Sequence, residues 1–74
     1  MPLFERILVV DDEPLILSLL TRVLARTKAE VIAVSSVEAA LAALDTGVDL
    51  VVTDIQIAGR SGVEVARAAA QRRP

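Results

Sequence analysis

Apolar positions follow two rhythms along this chain. Continuous runs, Ile7-Leu8-Val9-Val10 and Leu50-Val51-Val52, alternate with stretches in which apolar residues recur every three or four positions. A short β-branched run that is apolar on both faces predicts a strand buried in a parallel sheet, whereas the longer period predicts an amphipathic helix. Strands are therefore expected at Arg6 to Val10, Glu30 to Val34 and Leu50 to Thr53. Pro14 to about Thr27 is an expected helix with Ile16, Leu19, Leu20, Val23 and Leu24 on its apolar side and Ser18, Arg22 and Arg26 opposite. Its proline falls in the first turn, where the missing N–H costs nothing.

Ser35 and Glu38 have capping-box spacing ahead of a second helix, whose Val37, Ala40, Leu41 and Leu44 form a stripe. "DTG" closes it, with Gly47 suited to the left-handed conformation. The segment "IQIAGRSG" reads as a loop, and Ser61 with Glu64 offers a second capping box for a last helix from about Gly62 to Arg73. The order is βαβαβα, without repeats or low-complexity tracts. Such alternation implies an α/β domain with a parallel sheet, right-handed crossovers and helices on both faces.

Composition narrows the chemistry. The 74 residues have room for one small domain, 54% of them are hydrophobic, and Phe4 is the sole aromatic. Formal net charge is −2 with the bases scattered, and Arg72-Arg73 reads as a solvated helix end, so no direct nucleic-acid partner is expected. Having no cysteine, the chain has neither disulfides nor a thiolate zinc site; having no histidine, it lacks the usual general base and transition-metal ligand. No apolar run approaches the ~20 residues that span a bilayer, so no membrane association is expected and the cytoplasm is the default location. Neither G-x-G-x-x-G nor a P-loop follows any strand, which disfavours a nucleotide binder. A phosphatase of the haloacid-dehalogenase type would need an acid where Gln56 stands.

What remains is an unusual placement of acids. "ILVVDDEPLI" runs a buried strand straight into Asp11, Asp12 and Glu13, and "VDLVVTD" runs another into Asp54. Singly, each has an ordinary reading: Asp12 or Glu13 as a helix cap, Asp54 as the start of an Asx-turn. Together they sit where parallel sheets collect ligands, beyond the carboxyl ends of the strands. Oxygen-only donors suit a hard divalent cation such as Mg²⁺, which would relieve the repulsion among them. A carboxylate beside such an ion can act as a nucleophile toward phosphorus.

With "DLVVTDIQIAGRSGVEV", in which Gly62 lies eight residues past Asp54, and "SSVEAALAAL", the chain resembles the receiver domains of two-component response regulators, the CheY-like domains. The resemblance implies a partial receiver domain over residues 1–74: a truncated flavodoxin-like, doubly wound fold with strand order 2-1-3, lacking the last two strands and helices. It implies a phosphoryl group taken on Asp54 from a histidine kinase or phosphotransfer protein. It also implies Mg²⁺ held by Asp12 directly, Asp11 mostly through water, Asp54, and the backbone carbonyl of Gln56. The chain would be a phosphoacceptor and not an enzyme. Ile57-Ala58 replaces the family's frequent Met-Pro.

The family's switch Thr or Ser and its lysine belong to the fourth and fifth strands. Lys28, in the turn after the first helix, is not placed to substitute, and Thr53 points to the face opposite Asp54. An alternative is a half-receiver acting as an interaction module, in which third strands of two copies pair antiparallel to form a homodimer.

Overall fold

Ile7, Leu8, Val9 and Val10 are each no more than 1% exposed. Four consecutive buried residues require a strand flanked on both edges and covered on both faces. In the computed structural model, which describes residues 5–54, 56–57 and 59–72, β1 (Arg6–Val10) meets that requirement as the centre of a parallel sheet of order β2-β1-β3. Here β2 is Glu30–Val34 and β3 is Leu50–Thr53. All three coincide with the strands expected from sequence. Burying each large β1 side chain contributes roughly 1.5–3 kcal/mol.

The sheet's two faces are unequal. Leu8 and Val10 join Val37, Ala40 and Leu44 of α2 (Val37–Leu44), Val65 of α3 (Val63–Gln71) and Ile57 in the main core. Ile7 and Val9 point the other way, the side on which α1 (Pro14–Ala25) packs over β1 and β2.

α1 corrects the expected apolar stripe. Its half-buried residues are Leu17, Leu20, Thr21 and Leu24, while Ile16, Leu19 and Val23 are 43%, 55% and 53% exposed and Leu15 is 80% exposed. Leucines and isoleucines occupy more than half of the helix's circumference, and one helix on two strands can bury only part of it. The helix also stops at Ala25, short of Thr27. Thr27 Oγ1 and its amide both donate to the Leu24 carbonyl, and Lys28 turns left-handed at φ 68°. Gly47 is left-handed as expected, at φ 86°.

Neither expected capping box forms. Ser36, not Ser35, caps α2, its Oγ accepting from the Ala39 amide at 3.1 Å, which puts Glu38 one position too early to reciprocate. At α3 the N-cap is Gly62 itself, and Ser61 Oγ accepts from the Val63 amide at 3.1 Å. Both glutamates turn instead to Arg60.

The expected loop after Asp54 contains a short antiparallel hairpin, β4 (Gln56–Ile57) with β5 (Arg60–Ser61). Gly59, at φ 81°, takes the left-handed turn position; Ile55, Ala58, Phe4, Arg73 and Pro74 lie outside the described residues. At the sheet's other end the Asp49 carboxylate accepts from the Glu5 and Arg6 amides, both at 2.9 Å, tying the start of β3 to β1. Among the described residues no helix is long and apolar enough to cross a membrane.

A left-handed lysine costs about 1–2 kcal/mol more than glycine would in that conformation, less glycine's greater unfolded-state entropy. Lys28→Gly should therefore stabilise the protein by about 1 kcal/mol. A urea midpoint that stays put or falls would contradict that strain.

Candidate metal centre

Parallel pairing levels the ends of the three strands. Val10 is in register with Val34 on one side and Thr53 on the other. The ladder continues one step further, with the Asp11 amide donating to the Val34 carbonyl and the Asp54 amide to the Val10 carbonyl, each at 3.2 Å. Asp11 and Asp54 thus leave the sheet at the same height, and the chain's turn into α1 brings Asp12 beside them. Carboxylate oxygens of Asp11, Asp12 and Asp54 all lie within 4.8 Å of one another.

Their environments differ. Asp11 is 7% exposed, and its Oδ1 accepts from the Glu13 amide at 2.9 Å, an Asx-turn that steers the chain into α1. Asp12 and Asp54 are exposed. Glu13 occupies the N-cap position of α1 but makes no side-chain cap. Two unit charges at that separation repel by roughly 1 kcal/mol in water and about 3 kcal/mol at an effective dielectric of about 20. A cation between them removes this penalty.

The donor set fits a hard divalent ion. Octahedral Mg²⁺ at about 2.1 Å puts opposite oxygens about 4.2 Å apart, so three carboxylate oxygens within 4.8 Å can close on it with small side-chain rotations and leave positions for water. Gln56 stands outside this side-chain cluster, exposed at the start of β4 and paired in register with Ser61. Thr53 Oγ1 donates to the Asp54 carbonyl at 3.1 Å. Lys28 precedes β2, at the opposite end of the sheet from the acids, as expected. A cleft of about 380 Å³ also lies at that far end, among Leu44, Val48, Asp49, Leu50, Ala69 and Arg72, remote from the carboxylates.

Two residues matter more than sequence reasoning recognised. Gly62 is buried against the backbone of Asp54: a Cβ there would fall 1.8 Å from the Asp54 carbonyl oxygen. The spacing of eight residues was legible, but this close approach was not. Arg60 pairs with Glu38 and Glu64; of these partners only Glu64, at i+4, has a local signature.

A parallel α/β sheet of order 2-1-3 whose strand ends carry three clustered aspartates is a CheY-like arrangement. The family model for the response regulator receiver domain matches residues 7–74, and the chain belongs to that family. Among solved structures, it is similar to the N-terminal domain of a response regulator receiver protein from Methanoculleus marisnigri JR1. The TM-score is 0.76 and the identity 36%, with the match covering 88% of this chain and 53% of the other. This chain therefore spans about half the length of that relative. No curated protein matches it.

Gly62→Ala should destabilise the protein by about 2 kcal/mol, because the added methyl would overlap the Asp54 carbonyl and force the backbone to shift. Gly47→Ala, with open space around it, should cost about 1 kcal/mol from its positive φ alone. Equal losses in denaturant titrations of the two variants would rule out the steric account.

Proposed function

We propose that this chain is the phosphoacceptor part of a two-component phosphorelay, taking a phosphoryl group on Asp54 from a histidine kinase or phosphotransfer protein. The observation that carries the reading is the convergence of Asp11, Asp12 and Asp54 at the carboxyl ends of β1 and β3. On this reading Asp12 would be the direct ligand of Mg²⁺, Asp11 would bind mostly through water, and Asp54 and the Gln56 backbone carbonyl would complete the protein's share. The ion neutralises charge on the phosphoryl oxygens when bound.

The remaining work belongs to the side chains. Asp54 is exposed and so open to a partner protein, and its carboxylate oxygen attacks phosphorus while the phosphohistidine P–N bond breaks. The departing imidazole keeps the bonding electron pair, and Asp54 becomes an acyl phosphate. Asp11, held by its turn hydrogen bond, fixes one wall of the site. The chain acts as a stoichiometric acceptor and not as an enzyme, in the cytoplasm where kinase phosphohistidine is presented. The added charge, about −1.5 to −2 at neutral pH for a phosphoryl group, is the signal.

Incubation of the intact protein with acetyl phosphate and Mg²⁺ should add one phosphoryl group by intact mass. Asp54→Asn should abolish it, and chelation of Mg²⁺ should suppress it. Labelling that survives either change would overturn the assignment.

A second reading is favoured by the sheet's edge. Among the described residues β3 is paired only with β1, and all four of its residues are half-buried rather than covered. Antiparallel pairing of β3 from two copies would join two three-stranded sheets into one of six strands. Light scattering on the 74-residue chain should then report a concentration-dependent dimer, and a monomer at high concentration would exclude it.

A further inference from the structure

Arg60 lies in β5 opposite Ile57, in the hairpin that begins two residues after Asp54. Its guanidinium reaches two helices at once, pairing through one terminal nitrogen with Glu38 in the first turn of α2 and through the other with Glu64 in the first turn of α3, the latter at 2.7 Å. Carboxylates at helix N-termini are favoured by the helix dipole, and both partners ride on the first turns of their helices. The arginine thus bridges two helices through exposed carboxylates.

The hairpin needs anchoring. Two residues per strand make a ladder too short to stand alone. Ile57, wholly buried, pins one strand to the core, and Gly62 seats the chain after the other strand against Asp54. Between them the β5 strand itself is exposed, and its arginine is what reaches the helices. Movement of β5 would shift its register partners, Gln56 above all, relative to Asp54.

We propose that Arg60 is a positioning residue for the cation site: by bridging Glu38 and Glu64 it holds the β4–β5 hairpin, and with it the Gln56 carbonyl that the reading above assigns to the ion. This rests on the phosphoacceptor reading above, which supplies the ion. The Arg60 side chain is 45% exposed, and exposed ion pairs are individually weak, so the effect is a tuning of affinity and not its loss. It should also fade as salt screens the pairs.

The test is Mg²⁺ titration calorimetry on the intact protein, with hydrogen exchange of the Gln56 and Ile57 amides measured without the ion. Arg60→Ala should weaken Mg²⁺ binding about three- to fivefold at low salt and much less at high salt, with faster exchange in the hairpin and a melting temperature close to wild type. The double variant Glu38→Gln with Glu64→Gln should do the same, and Arg60→Lys should recover part of the affinity. If Arg60→Ala leaves affinity unchanged while Asp12→Asn loses it, the cation site stands and the positioning role is refuted. If wild type takes up no Mg²⁺, the phosphoacceptor reading falls, and this proposal with it.

Discussion

The parallel register of β1 with both neighbours is the constraint on which everything else depends. Because Val10 is level with Val34 and Thr53, one set of pairings both buries Ile7 to Val10 and delivers Asp11 and Asp54 to the same rim. A slip of one residue would turn Leu8 and Val10 out of the main core and carry Asp54 away from Asp11. The fold thus cannot keep its core and lose its site. Burial of the β1 side chains favours the same pairing that crowds the three carboxylates together.

Strands were legible because their signal is local. Arg6 to Val10, Glu30 to Val34 and Leu50 to Thr53 are short, β-branched and bounded by turn residues, and nothing elsewhere in the chain competes for them. The face of α1 was not legible. With leucine or isoleucine at 15, 16, 17, 19, 20 and 24, several stripes fit the helical period, and only the position of the sheet selects Leu17, Leu20 and Leu24 over Ile16, Leu19 and Val23. The caps failed for a different reason. The helices begin at Ser36 and Gly62, one residue later than the expected serines, so Glu38 and Glu64 fall one position early and pair with Arg60, whose link to Glu38 spans sequence that no local pattern covers.

The candidate site divides along the same line. Asp11, Asp12 and Asp54 could be picked out because each follows a predicted strand, and topology then dictates that strand ends on one side of a parallel sheet meet. What topology does not specify is how the chain leaves the rim. The hairpin strands are two residues each, too short to carry any period, and the fit of Gly62 against the Asp54 carbonyl is a tertiary contact that a glycine in sequence does not announce.

Gly62 and Arg60 hold the same segment by different physics. The glycine contact is steric: it permits one path for the backbone after Asp54 and is indifferent to ionic strength or to charge on the aspartates. The arginine contacts are electrostatic and reach α2 and α3, so they respond to charge placed nearby. The segment is therefore held on one side by a fit that salt cannot reach and on the other by ion pairs that salt weakens.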